Sequence, residues 1–501
     1  MPGEPPAWAA HLPAGVDHAA VDLLAERSLP AAIARRAAAA PDRPALGRAG
    51  GGWLTRGELD EATTVVAGRL HQAGLRSGDR VAFSAAASLP LVVVYLAALR
   101  LSLVVVPVNP AYSERELGHV IGDAEPRAAV VDDRDRAASV RRAAGSDVLV
   151  VGPEVDLPDG APPALDQGGP EEEALICYTS GTTGSPKGAV LSHGNLLAGA
   201  EAVRLAWRWD EADRLVLALP LFHVHGLCIG LNGTLLTGAS AVLVPRFEAG
   251  AVLDAAADHD ATLFFGVPTM YARLADSPRA AELGRLRLCV SGSAPLPAAL
   301  FERLAELSGQ RVLERYGLTE TLMNVSNPYD GERRPGTVGL PLPGVSLRLA
   351  SDGEVLVRGP SVFTGYWHDP DATAAGFDPE GWFRTGDLAR FDERGYLRIE
   401  GRSKELVISG GYNVHPREVE EVLLTHPGVA EAAVTGTPSE EWGEVVTAWV
   451  VPDGRPPATD ELIAFAAEHL APYKRPRLIH YLDALPRNAL GKVQRHELGT
   501  G

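Results

Sequence analysis

The sequence has little cysteine, no excess of positive charge and no uninterrupted apolar run of membrane-span length. Its three cysteines, Cys177, Cys228 and Cys289, sit inside apolar strings and read as buried side chains suited to a reduced compartment, not as disulfide partners. A formal net charge of −18 excludes a large phosphate-tracking surface of the nucleic-acid-binding kind, so any polyanionic ligand needs a local cationic site. Residues 89–108 (LPLVVVYLAALRLSLVVVPV) approach the length of a span, but Arg100 and Pro107 interrupt them and their second half is β-branched. They read as a buried helix followed by a strand. The first twenty residues show neither a basic region nor a continuous apolar stretch, so no secretory signal is expected and the cytoplasm is the default. No repeat of twenty to fifty residues is visible.

What is present fits a large folded α/β protein. With 501 residues the chain is too long for one ordinary core, and its 46% hydrophobic and 22% charged residues match globular usage. Residues 30–40 (PAAIARRAAAA) are helical by propensity. Helical segments then alternate with short apolar runs such as RVAFSA, LVVVPV, AAVVDD, LVLALP, TLFFGV and LRLCVS, the pattern of layered structure with buried strands. A connector rich in Pro, Gly and acid at 152–173 reads as surface loop. From Ser346 the pattern shifts to short alternating strands, and a compact tail follows Gly401-Arg402, placing a domain boundary near Ser403 and Lys404.

The first chemical motif is Tyr178-Thr-Ser-Gly-Thr-Thr-Gly-Ser-Pro-Lys187-Gly188. Glycines and small hydroxyl residues let backbone N–H groups approach phosphate oxygens, and Lys187 adds a mobile cation. It is not a Walker loop: Gly188 stands where Ser or Thr should follow the lysine, and the spacing from Gly181 to Gly184 is wrong. Further strings follow in order: Leu219-Pro-Leu-Phe-His223-Val-His225-Gly226, Gly266-Val-Pro-Thr-Met-Tyr271, Ser291-Gly-Ser-Ala-Pro295, Glu314-Arg-Tyr-Gly-Leu-Thr-Glu320, Tyr366, Trp382-Phe-Arg-Thr-Gly-Asp387, Gly401-Arg402-Ser-Lys404, Gly410-Gly411-Tyr412 and Pro486-Arg-Asn-Ala-Leu-Gly491-Lys492. Together they resemble the adenylate-forming superfamily of acyl-CoA synthetases, peptide-synthetase adenylation domains and luciferases, from Pro41 onward.

The resemblance implies an α/β fold. A large layered N-terminal domain, two α/β subdomains plus a small β-barrel-like part, would span 1–403, and a small mobile α+β lid would span 404–501. It also implies the reaction: a carboxylate attacks the α-phosphorus of ATP, pyrophosphate leaves, and the acyl adenylate passes its acyl group to coenzyme A. Negative charge spreading over phosphoryl oxygens must be stabilised, which calls for lysines, hydroxyls and a magnesium-binding carboxylate. By resemblance Thr179, Ser180, Gly181, Thr182, Thr183, Gly184 and Lys187 hold the phosphates. Ser293, Ala294, Glu314, Arg315, Tyr316 and Gly317 hold the rest of the nucleotide, and Asp387 with Arg402 binds the ribose. Thr319 touches the α-phosphate, Thr183 and Glu320 hold Mg²⁺, and Lys492 bridges the acid and the phosphate during adenylation. Lid rotation would then exchange Lys492 for the Gly410-Gly411-Tyr412 loop along the coenzyme A channel, with Lys404 at the hinge. Glu405 stands where Asp is common, a change with no functional account.

In wording the chain resembles most the malonyl-CoA synthetase subgroup. That resemblance implies a short dicarboxylic acid held by Arg287, whose guanidinium would pair with the distal carboxylate, together with His223, Ser291, Leu318 and Met323. Leu318 and Val224 stand where malonate enzymes have Met and Thr, which leaves methylmalonate or another short substituted diacid open. The alternatives are a neutral short, medium-chain or aryl acid, and an acyl-carrier protein as acceptor.

Overall fold

Strands such as Val104–Pro107, Ala128–Val131 and Leu263–Gly266 are buried at every position, the signature of a sheet covered on both faces. The computed structural model describes residues 5–145, 147–179, 186–409, 411–439, 442–488 and 491–499. It falls into two units, Met1–Leu347 with Val357–Phe383, and Arg348–Leu356 with Arg384–Gly501.

The first unit contains two large mixed sheets. Among the described residues one has seven strands, in the order Gly365–Tyr366, Lys187–Ser192, Glu173–Thr179, Val104–Pro107, Arg80–Ser84, Ala128–Val131 and Leu149–Val151. The other has nine, with Leu313–Tyr316, Leu288–Ser291, Leu263–Gly266, Arg214–Leu217 and Ser240–Leu243 running parallel at its centre. Local sequence fixes the helix starts. Ser28 caps Leu29–Ala39, Thr55 and Glu58 form a capping box on Arg56–Gln72, and Ser88 caps Leu89–Arg100 ahead of a proline in the first turn. The long apolar run is thus a buried helix followed by the strand Val104–Pro107, as its sequence predicts. No described helix is long and apolar enough to cross a membrane. The three cysteines are free and buried.

The second unit carries most of a four-stranded sheet (Ser346–Leu349, Glu354–Arg358, Phe383–Phe391, Leu397–Arg402), the small β part expected beside the α/β layers. It also carries a five-stranded sheet on which Val419, Leu423, Leu462 and Ala466 of two helices pack against Val407, Val434 and Val446. The fold class is the expected one, a large α/β body with a small α+β C-terminal domain. The boundary expected at 403 and 404 falls inside the second unit.

Candidate active site

In the first unit, strands Glu173–Thr179 and Lys187–Ser192 pair antiparallel with Thr179 opposite Lys187. The connecting residues Ser180, Gly181, Thr182, Thr183 and Gly184 lie outside the described residues. Lys187 Nζ stands 3.7 Å from Asp369 and 5.3 Å from the centre of the Tyr366 ring. The Tyr366 hydroxyl donates to Glu320 Oε1 at 3.0 Å, and the Phe363 amide donates to the Glu320 carbonyl at 2.7 Å. A phosphate-seeking lysine, an anchored carboxylate and an aromatic face therefore meet at one place. Asp369 escaped the sequence reading because it carries no motif and caps the helix Pro370–Ala375, the usual work of an Asp before Pro. Among the described residues no three His, Cys, Asp or Glu side chains converge as a metal cage. Glu320 fits a magnesium ion held chiefly by triphosphate oxygens and one carboxylate.

The nine-stranded sheet supplies the other half. Strand Leu288–Ser291 runs into Gly292-Ser293-Ala294, where Ser293 adopts φ +69°, a costly conformation for a non-glycine residue. The Leu296 amide donates to Glu314 at 2.9 Å, so buried Glu314 braces this loop. Half-buried Tyr316 leads into Gly317, where a Cβ would lie 2.1 Å from the Leu322 carbonyl oxygen; the turn carrying half-buried Leu318, Thr319 and Glu320 requires glycine. Met323 is fully buried. His225 opens a π-helical turn, His225–Leu231, with Nδ1 3.3 Å from Ser293 Oγ. Burial pushes His223 down to about 4, and burial, then Arg315, then His223 hold His225 well below the ordinary histidine range, so both rings are neutral at neutral pH. Ser291 is fully buried and paired in register with Glu314.

Arg287 does not do what the sequence suggests. It precedes the strand Leu288–Ser291, at the end opposite Ser293, and four residues of strand span roughly 13 Å. Its Nε and Nη2 donate to the two carboxylate oxygens of buried Asp213, at 2.6 and 2.5 Å, while Nη1 and Nη2 donate to the Trp207 and Arg208 carbonyls, each at 3.1 Å. Burial works against its charge, yet Asp213 and Tyr329 outweigh this and raise its pKa. A guanidinium so occupied is a fold element and not a receiver of substrate carboxylate.

The second unit carries Asp387, Arg402 and Lys492. Asp387 and Arg402 are register partners on adjacent strands, and Arg402 Nε lies 3.0 Å from Asp387 Oδ1. The Thr-Gly before Asp387 has a local reason: Gly386 adopts φ +70°, its amide donates to Glu354 at 2.9 Å, and Thr385 Oγ1 accepts from the Asp387 amide at 3.1 Å. Lys492 follows Gly491, at φ +74°, in a tight turn where its amide donates to Asn488 Oδ1 at 3.0 Å. Burial lowers its pKa, helped by Arg402 and Arg495 and opposed by Glu405 and Asp387. Arg495 bonds Glu405 at 3.1 Å and Glu420 at 2.7 Å, which gives Glu405 its structural account. Lys404 lies in the single turn Ser403–Glu405. Gly411, at φ +81°, turns the hairpin between Val407–Ser409 and Tyr412–Val414, and exposed Tyr412 stacks on Tyr473 at 4.6 Å. Gly410 lies outside the described residues.

Residues 33–367 match the AMP-binding enzyme family and residues 418–492 match the AMP-binding enzyme C-terminal domain. The structure is similar to ATP-bound MatB from Rhodopseudomonas palustris, with 40% identity, 94% of this chain and 98% of that chain covered, and a TM-score of 0.88. It is also similar to a malonyl-CoA ligase in a ternary product complex with methylmalonyl-CoA and AMP, with 45% identity, 89% and 97% covered, and a TM-score of 0.66. A feruloyl-CoA synthase of an Amycolatopsis species is 37% identical over 480 residues, 93% of this chain and 97% of that protein. The chain therefore belongs to the AMP-binding enzyme family and is an AMP-forming acyl-CoA ligase.

Proposed function

We propose that the acid is malonate or a short substituted malonate such as methylmalonate, and that free coenzyme A is the acceptor. The observation that carries this reading is the polarity of the acid end, where His225 and Ser293 stand 3.3 Å apart with His223 in the same segment. A long apolar tail would give no partner to the Nε2 of buried His225, which has none among the described residues. The likeness to malonyl-CoA ligases supports the same choice. The likeness to the feruloyl enzyme favours an aryl acid as the second reading.

In the first half-reaction the acid carboxylate forms a bond to the α-phosphorus of ATP as the bond to pyrophosphate breaks. Lys187, Thr319 and the 180–184 loop stabilise the charge on the phosphoryl oxygens, and Asp387 with Arg402 orients the ribose. Tyr316 and Ala294 face the adenine, and Ser293 stands beside His225 towards the acid. Lys492 reduces the repulsion between the two approaching anions. Magnesium, held through Glu320 and the triphosphate, would supply further charge neutralisation. In the second half-reaction the coenzyme A thiol attacks the acyl carbonyl and AMP leaves, after the chain pivots at Ser403-Lys404 and the Gly411 hairpin lines the thiol channel. Cytoplasmic work is part of the proposal, because ATP and coenzyme A are drawn there.

The test is acid-dependent AMP formation with malonate, methylmalonate, succinate, butyrate and ferulate, using coenzyme A or an acyl-carrier protein as acceptor. The expected result is a kcat/KM for malonate or methylmalonate at least about tenfold above butyrate and ferulate, with coenzyme A as acceptor. Preference for ferulate or butyrate overturns the acid assignment, and turnover only with carrier protein overturns the acceptor.

A further inference from the structure

The strands Glu173–Thr179 and Lys187–Ser192 flank the phosphate motif, and both are tied at its two sides to one helix. That helix, Glu114–Ala124, starts in a capping box of Ser113 and Glu116 and buries Leu117, Val120, Ile121 and Ala124 in one apolar cluster with Val106, Ile176 and Val190 of the seven-stranded sheet. It is therefore held firmly along its length. His119 and Asp123 stand four residues apart on it, on one face. On the first strand the Tyr178 hydroxyl donates to Asp123 Oδ2 at 2.5 Å. At the approach to the second, His119 Nε2 donates to the Pro186 carbonyl at 2.7 Å, directly before Lys187. The two rings also meet edge to face, with the centres of His119 and Tyr178 6.2 Å apart. Trp367 completes the arrangement: its amide donates to the Gly188 carbonyl at 2.7 Å and its indole to the Asp123 carbonyl at 3.1 Å. Tyr178 and Gly188 are register partners, and a Cβ on Gly188 would lie 2.7 Å from Ile176 and 3.2 Å from both Tyr178 and Trp367. The residue after the lysine is glycine, where a Walker loop has Ser or Thr, because these side chains occupy the space. Burial, and then Asp123, push the Tyr178 pKa well above its ordinary range, which keeps the hydroxyl a donor.

The geometry points to His119 and Asp123 as positioning residues for adenylation: through Pro186 and Tyr178 they fix the backbone from which Lys187 meets the phosphates of ATP. This rests on the reading of 180–187 as the phosphate holder. A lysine on its flexible stem stabilises developing phosphoryl charge only where its backbone is fixed, and a misplacement of about 1 Å costs about a hundredfold in rate. Lys187 has little fixity of its own, with a side chain 47% exposed and Asp369 3.7 Å away. Two hydrogen bonds from one packed helix to the two sides of the motif supply it. Pyrophosphate leaves in the first half-reaction, so the frame has no phosphate chain to hold in the second.

The test uses wild type, Tyr178→Phe, His119→Phe, His119→Gln, Asp123→Asn, Lys187→Ala and the Tyr178→Phe, Lys187→Ala double variant. It measures acid-dependent pyrophosphate release against ATP concentration, thioester formation from a supplied acyl adenylate, and urea unfolding. Tyr178→Phe and His119→Phe keep an aromatic ring but remove the donor. Each is expected to lower kcat/KM for ATP by about tenfold or more and to leave thioester formation within about twofold of wild type. His119→Gln, whose amide can donate to Pro186, should recover part of the loss, and Asp123→Asn, which keeps an acceptor for Tyr178, should stay nearer wild type than Tyr178→Phe. Because Tyr178 acts through Lys187, the double variant should lose less than the product of the two single losses. Equal losses in both half-reactions overturn the proposal in favour of a structural role. A multiplicative loss in the double variant overturns the route through Lys187, and no recovery in His119→Gln overturns the role of its hydrogen bond. Should one of the two phenylalanine variants fail to fold, the other decides by the same split between half-reactions. If Lys187→Ala slows pyrophosphate release while Tyr178→Phe and His119→Phe do not, this inference alone fails; if Lys187→Ala changes nothing, the reading of 180–187 as the phosphate holder fails with it.

Discussion

Two arginines on adjacent strands of one sheet have opposite fates. Arg287 enters the strand Leu288–Ser291 and is closed by Asp213 and two backbone carbonyls; Arg315 lies near the finish of Leu313–Tyr316 with two nitrogens unpartnered among the described residues. Arg315 is buried and Arg287 half-buried, but burial alone does not account for their difference. Pairing does. The arginine at the edge where the strands begin is joined to an opposite charge, while the one near the edge where they end has no such partner among the described residues. This agrees with the general placement of binding crevices in parallel sheets. It also sets an expectation for this molecule: removing a buried charge that is already satisfied should affect stability, and removing one that serves the reaction should affect rate.

The largest effect expected lies in the second unit, at Lys492, a half-buried lysine set among charges of both signs. Lys492→Ala should reduce acid-dependent pyrophosphate release by about 10²–10³ fold, the usual cost of removing one preorganised charge from a transition state. Thioester formation from a supplied acyl adenylate should change only a few fold, and the unfolding midpoint should stay near wild type. Equal loss in both half-reactions would place Lys492 with Arg287, among the residues that hold structure.

The fold was readable because its causes are local. The alternation of apolar runs with helical segments, and the break at Arg100 in the run 89–108, specify layers without knowledge of the tertiary contacts. The Thr-Gly before Asp387 and the Gly before Leu318 were readable for the same reason, since φ +70° at Gly386 and the crowding at Gly317 demand glycine. What the sequence hid was pairing. Nothing near Arg287 in the chain signals Asp213, 74 positions earlier, and nothing in Glu314-Arg315-Tyr316 signals that the arginine turns over Gly292. Asp369 and the Glu405–Arg495 pair were hidden likewise, because partners from distant segments leave no periodic trace.

A smaller effect is expected at Asp213. Asp213→Asn keeps the shape but removes the charge facing Arg287, whose side chain is 26% exposed and retains its two carbonyl acceptors. Breaking a fully buried pair costs about 3–5 kcal/mol; partial exposure of this arginine reduces the expectation to about 1–3 kcal/mol of unfolding free energy. The ratio of kcat/KM for malonate and butyrate should not move. A shift in that ratio without loss of stability would reverse the role assigned to Arg287.

The smallest effect concerns a buried base that has a third option, which neither arginine possesses: it sheds its proton. His193, at the start of the helix His193–Ala206, is fully buried, and neither ring nitrogen has a hydrogen-bond partner among the described residues. Burial pushes its pKa down to about 4, against an upward pull from Glu172. Between about pH 4 and the unfolded value near 6.5 the unfolded chain therefore holds a proton that the folded chain lacks, so stability rises with pH through this window and is lost as the solution is acidified. The slope from one histidine is at most about 1.4 kcal/mol per pH unit, which amounts to about 1 kcal/mol between pH 6.5 and 5.5. His11, also pushed down to about 4 by burial, adds a contribution of the same sign, so His193→Gln should remove part of the acid sensitivity and leave the rest. Urea unfolding of both proteins at pH 7.5, 6.5 and 5.5 measures it, with the expectation that the two stability curves converge as pH falls. If they stay parallel, His193 keeps its proton in the folded chain, and a partner for its ring must form that neutralises the cost, as Asp213 does for Arg287.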